Sequence, residues 1–162
     1  MTKASESDGD TSRRLFLVGA TVAVLTPPSV LWAQQAEIWS AKHAHDSLTN
    51  DLIRLVDIRS REEWADTGVA QGAWPISLHE DRFPERLFAA RKVADGRPVA
   101  MICATGGRSG YVLRSLREAG YSGFIDVSEG MLGSPRGPGW IAEGLPTVSS
   151  EVALKGLPAD LA

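Results

Sequence analysis

Cys103 is the only cysteine in the chain, and it opens the run Cys103-Ala104-Thr105-Gly106-Gly107-Arg108-Ser109. The apolar stretch Val99 to Ile102 precedes it and a helical pattern follows. At such a strand-to-helix turn, successive backbone N–H groups can converge on one point and hold an anion. Gly106 and Gly107 permit the positive φ that a tight curl needs. Ser109 begins the expected helix, whose unpaired N-terminal donors carry a partial positive charge toward the same point. With the permanently charged Arg108 alongside, these groups are expected to pull the thiol below its ordinary pKa of about 8.5, by about a unit or more. The sulfur would then be an ionised nucleophile at neutral pH. The alternative is a packed structural cysteine, but packing alone requires neither the two glycines nor the adjacent guanidinium.

The elements needed to present this loop are legible as alternating apolar runs and helical patterns, the texture of an α/β domain with a mainly parallel sheet. Ile38-Trp39 reads as an entry strand, and Ser40 as the cap of a helix from Ala41 to Leu48. Leu52 to Ile58 is expected as a strand, followed by a short helix from Arg59 to Ala65. That helix begins near Ser60 and carries Glu62 and Glu63 in its first turn, where the dipole favours acids. Ala73 to Ser77 is a weaker strand, because Pro75 removes a donor and pushes it toward an edge. Pro84 to Arg91 is expected as a helix, and Val99 to Ile102 as a fully buried strand. Ser109 to Ala119 is expected as a helix with Val112, Leu113, Leu116 and Ala119 facing inward, stopped at Gly120. Phe124 to Val127 supplies the last strand. Glycines and prolines dominate from Gly130 to Gly139, so a loop is expected there, ending where Trp140 and Ile141 return to the core.

With 162 residues and 43% hydrophobic content, the chain suits one globular domain plus a shorter extra segment. Its 17 basic and 20 acidic residues include no basic run beyond Arg13-Arg14, which leaves no footprint for nucleic acid or a membrane surface. Small molecules or proteins are the expected partners. A single cysteine cannot form an internal disulfide, so its chemistry must involve an external sulfur compound or a partner thiol. His43 and His45 lie two apart and diverge on a helix, and no metal set accompanies them. His79, beside Glu80 and Asp81, could act as a base, although a thiolate that is already ionised does not require one.

Residues 1–33 read as an address. Arg13-Arg14-Leu15-Phe16-Leu17 opens an apolar segment that is broken by Pro27-Pro28 and closed by Leu31-Trp32-Ala33. The segment resembles a bacterial twin-arginine export signal, and it is too short and too interrupted for a span of about 20 apolar residues. Cleavage after Ala33, a periplasmic location and a single domain over residues 34–162 are the expectations.

Several spaced blocks share one resemblance: Leu55-Val56-Asp57-Ile58-Arg59, Glu62-Glu63-Trp64, Gly68-Val69-Ala70-Gln71-Gly72-Ala73, the run from Cys103 to Ser109, Gly130-Met131, Trp140 and Gly144-Leu145-Pro146. In this order they resemble a single-domain rhodanese, over about Ile38 to Val148. The resemblance implies a three-layer α/β domain with a central, mostly parallel sheet of about five strands. It also implies sulfurtransferase chemistry without a metal or cofactor. Cys103 would take a sulfane sulfur from thiosulfate or a persulfide, hold it as a persulfide and pass it to cyanide or a thiol. The amides of Ala104, Thr105, Gly106, Gly107 and Ser109 would stabilise the outer sulfur, and Arg108 would brace the loop and add charge. On the same basis Asp57 would hold the cradle in shape; Arg59, two residues on at the same sheet end, is the candidate for meeting an anionic donor, with a solvated surface arginine as the alternative.

The Cys-x-x-x-x-Arg spacing is the short form that goes with sulfur transfer in this family. Phosphatases on the same fold have one residue more, so phosphatase or arsenate reductase activity is the minor reading. The reading of a different class is a sulfur-carrier or protein-binding module without turnover. Val69 and Pro75 depart from the residues usual in the family, which bears on local geometry. The stretch from Leu132 to Gly139 is longer than the usual link, and Arg136 within it is a candidate for selecting an anionic donor or a partner.

Overall fold

The structure is a computed structural model and describes residues 38–162; the expected export signal, residues 1–33, lies outside the described residues. Five strands form the main sheet: β1 (Ile38–Trp39), β2 (Arg54–Asp57), β4 (Trp74–Pro75), β5 (Val99–Ile102) and β6 (Phe124–Val127). Their order is β1-β6-β5-β2-β4 and every neighbouring pair is parallel, as an α/β domain with crossover helices requires. The fold is the three-layer arrangement expected from the sequence. A small antiparallel pair, β3 (Val69–Ala70) with β7 (Thr147–Val148), was not foreseen, because two-residue strands carry no periodicity.

Alternation along the strands divides the core in two. Leu55, Ala100, Ile102, Ile125 and Val127 face one layer with α1 (Ala41–Thr49), α2 (Arg61–Thr67), α5 (Gly139–Ala142) and α6 (Ser150–Lys155). Val56, Val99, Met101, Cys103 and Phe124 face the other, with α3 (Phe83–Val93), α4 (Gly107–Glu118) and the C-terminal 3-10 turn Ala159–Leu161. Cys103, two residues beyond Met101, thus emerges on the α3/α4 side of the central strand.

Local sequence accounts for the boundaries. Ser40 and Ser60 cap α1 and α2 by accepting from the amides of His43 and Glu63, and the Glu63 carboxylate accepts in turn from the Ser60 amide to complete a capping box. Strand β2 starts at Arg54, not Leu52, because Asp51 takes a positive φ of 58° and Leu52 is spent on the turn. Pro75 sits on the sheet edge, where its missing donor costs nothing. Two expectations are corrected at the core boundary. Ala119 is exposed just beyond the end of α4, and Ile141 is 40% exposed while its neighbour Trp140 is fully buried. Ala119 lies past the end of its helix, and Ile141 sits in a single four-residue turn whose buried side is taken by Gly139 and Trp140.

Candidate active site

The chain from Cys103 to Ser109 is wrapped, not extended. Gly106 stands in the left-handed region at φ 78° and caps α4, which therefore begins at Gly107, two residues before the expected start. A Cβ at Gly106 would lie 1.9 Å from the Ser128 carbonyl oxygen, so both conformation and space demand glycine. The segment after β6 braces the loop from behind: Met131 N–H donates to Cys103 O and Leu132 N–H to Ala104 O, each at 2.8 Å. Among the described residues, none of the backbone N–H groups from Ala104 to Ser109 donates to a backbone acceptor. A turn whose amides are left free at a helix N-terminus is a concavity for an anion.

Cys103, at the base of this turn, is 1% exposed and belongs to the same buried cluster as Ile58, Ile76 and Val112. Ser109 Oγ lies 3.4 Å from Cys103 Sγ and 3.4 Å from Gly106 O. Arg108 is held by Glu63 in a two-pronged pair, Nη1 to Oε2 at 2.8 Å and Nη2 to Oε1 at 2.6 Å, with His79 Nε2 3.4 Å from Nη1. Glu63 raises the Arg108 pKa by hydrogen bonding and charge, and the neighbouring Cys103 raises it further. In return, Arg108 holds the Glu63 carboxyl down from 4.5 to about 2. Arg108 thus brings positive charge to the cysteine from a position fixed by α2.

Arg59 is corrected. It is 1% exposed, and its N–H groups are consumed by Asp57 (Nε to Oδ1 3.0 Å, Nη2 to Oδ2 2.7 Å), Thr67 Oγ1 (2.7 Å), Gly68 O (2.6 Å) and Glu63 O (3.4 Å). No donor remains for an anionic substrate, because a guanidinium has five. Its partner Asp57 is fully buried and also accepts from the Arg59 amide, fixing the chain between β2 and α2. The pair therefore ties the end of β2 to the helix that carries Glu63. Arg136 lies exposed on a tight turn closed by Ser134 and Gly137, and its charge acts on Asp126 of β6.

Sequence reading did not find Glu63 or Asp126 as parts of this site. The Ser60-x-x-Glu63 capping box marked a helix start, and nothing local announced a partner 45 residues away. Asp126 did stand out in principle, as an acid inside an otherwise apolar strand.

Known proteins share the sequence pattern and the fold of this chain. The sequence profile of the rhodanese-like domain matches residues 40–133, more than half of the chain. An uncharacterized protein from Synechocystis sp. is 30% identical over 105 residues, covering 64% of this chain and 51% of its own length. The chain therefore spans about half the length of that relative. An uncharacterized protein from Rickettsia conorii is 27% identical over 113 residues, covering 64% of this chain and 89% of its own. Among solved structures, a protein from M. tuberculosis superimposes with a TM-score of 0.52 at 26% identity, covering 70% of this chain and 97% of that one. A rhodanese-like domain protein from Staphylococcus aureus is 31% identical, with a TM-score of 0.46 over 65% of this chain and 95% of its own. By sequence profile, sheet order and the wrapped Cys103 loop together, this chain belongs to the rhodanese-like domain family.

Proposed function

We propose that the chain is a sulfurtransferase that carries a sulfane sulfur on Cys103. The observation that carries this reading is the wrapped turn itself: free amides from Ala104 to Ser109 around a lone cysteine, with Arg108 clamped beside it. The Cys103 thiolate attacks the outer sulfur of thiosulfate, the sulfur–sulfur bond breaks, and sulfite leaves with the electron pair. The product is a persulfide whose negative charge sits on the outer sulfur, one atom nearer the loop amides, where oriented donors stabilise it. Cyanide or a thiolate then attacks that outer sulfur and takes it, and the Cys103 thiolate is regenerated. Arg136, exposed at the loop after β6, is proposed as a contact for the anionic donor, and Arg108 as the fixed charge.

A second reading, a carrier that loads sulfur but passes it only to a docked partner, is favoured by the 1% exposure of Cys103. The two separate in one assay. An enzyme forms thiocyanate from thiosulfate and cyanide over many turnovers, and Cys103→Ser does not. A carrier acquires a single sulfur without sustained thiocyanate production, and a protein that does neither contradicts both. The export reading of residues 1–33 rests on their sequence and predicts a shortened mature chain in a periplasmic fraction.

A further inference from the structure

Cys103 follows β5, and His79 follows β4 at the same carboxyl end of the parallel sheet, the end at which open α/β sheets take their ligands. The chain between β4 and His79 runs on beside the end of β2: Ile76 N–H donates to Asp57 O at 3.0 Å and Leu78 N–H to Ile58 O at 3.1 Å. The buried Ser77 then accepts from the His79 amide through its Oγ at 3.2 Å. The His79 ring is thereby set beside the Cys103 turn, exposed, with Nε2 3.4 Å from Arg108 Nη1.

A guanidinium can only donate, so in this contact Nε2 accepts and the ring is neutral, its proton on Nδ1. Arg108 Nη1 also donates to Glu63 Oε2 at 2.8 Å, which leaves His79 the longer and weaker share. A proton on Nε2 would set two donors face to face. The contact would then open, and both groups would need one acceptor between them. The fixed charges around the ring come close to cancelling. From α2, Glu63 is held at about 2, chiefly by Arg108, and Glu62 is also lowered, first by its own amide, then by Ser60 and to a smaller extent by the charge of His79. From the Cys103 turn comes Arg108, which Glu63 offsets. On the segment of His79 itself, Glu80 is taken by Arg61 at 2.7 Å and by Arg86, and Asp81 and Arg82 follow as exposed neighbours of opposite sign. Imidazole is the side chain that ordinarily changes charge between about pH 5 and 8, so the balance at this rim turns on whether the ring holds a second proton.

We propose that His79 is a specificity-determining residue that favours a doubly negative sulfur donor by taking up a proton as the donor binds. The donor's anionic oxygens accept from Arg108 and from the Nε2–H of the charged imidazole, replacing the direct contact between the two side chains. The proton comes from solvent, and no bond of the donor changes in this step. By linkage, a protonated His79 strengthens donor binding, and the bound donor strengthens the hold on the proton by the same factor. A singly charged anion gains less from the second cation than a doubly charged one. This inference rests on the reading that an anionic donor enters the Cys103 turn.

The test is thiosulfate binding to the full chain carrying Cys103→Ser, which cannot accept sulfur, by titration calorimetry at low salt from pH 8 to pH 5.5. Glu62 and Glu63 stay ionised over this range, and His43 and His45, the other two histidines, lie on α1 in the opposite layer. The dissociation constant should fall about fivefold as pH falls, with a binding heat that varies with the ionisation heat of the buffer, the mark of proton uptake. Thiocyanate, with one charge, should change only about twofold. Adding His79→Gln should flatten the thiosulfate profile and abolish the uptake, whereas His79→Lys, a fixed cation, should bind tightly at every pH. Profiles alike with Gln and His, no proton uptake, equal shifts for the two anions, or no thiosulfate binding would overturn the role of His79. Sulfur loading of the chain with Cys103 intact reports separately: loading with a flat binding profile keeps the transfer reading and removes His79, and proton-linked binding without loading does the reverse.

Discussion

Glu63 and Arg108, 45 residues apart, face each other across the rim of the Cys103 turn through two parallel hydrogen bonds of 2.8 and 2.6 Å. The same Glu63 carboxylate accepts from the Ser60 amide at 2.9 Å, so the start of α2 and the loop arginine are held by one group. Arg108 is thereby fixed in direction before any substrate arrives, and a preset charge is worth more to a developing anion than a mobile one.

Glu63→Gln should therefore cost both activity and stability, by similar amounts. Thiocyanate formation is expected to fall about tenfold through lost orientation of Arg108, while unfolding in urea shows a loss of about 1–2 kcal/mol. Equal activity in the two proteins would mean that the clamp does not set the charge at the sulfur.

The clamp also predicts a pH dependence. The Glu63 carboxyl is depressed from 4.5 to about 2 in the folded protein, chiefly by its hydrogen bonds from Arg108. Its contribution to stability is complete above the unfolded value of 4.5 and is lost as pH falls through about 2. Urea midpoints measured between those limits should decline in the unaltered protein, and decline less in Glu63→Gln.

Arg59→Ala should act on the fold. It leaves Asp57 charged and unpaired in a fully buried position, which costs about 3–5 kcal/mol. Denaturant unfolding checks this. A variant with unchanged stability but a raised KM for thiosulfate would return Arg59 to the substrate.

The architecture was largely legible because its signals are periodic or local. The unbroken apolar run Val99 to Ile102, the capping serines 40 and 60 and the edge position of Pro75 all follow from single-residue chemistry, and the turn from Cys103 to Ser109 follows from Gly106, whereas Gly107 is an ordinary first helical residue that takes no positive φ. Long-range pairings were not legible. Nothing in the spacing of Asp57 and Arg59 tells a solvated arginine from one whose donors are all consumed inside the protein, and the Ser128 carbonyl that confines Gly106 is distant in the chain.

That confinement gives a paired test on adjacent glycines. Gly106→Ala forces a Cβ to 1.9 Å from Ser128 O at a left-handed φ, and should cost at least about 2 kcal/mol and most of the activity. Gly107→Ala meets nothing within 4 Å at the first turn of α4, and should stay within about 0.5 kcal/mol of the unaltered protein. Thermal unfolding of both variants checks the contrast.

The central claim is that Cys103 holds one extra sulfur. After incubation with thiosulfate and removal of excess reagent, the intact mass of the protein should rise by about 32 Da, the mass of a single sulfur atom, and return to its starting value on addition of cyanide. Cys103→Ser should show no gain. An unaltered protein whose mass does not change, or a gain of the same size in Cys103→Ser, would contradict it.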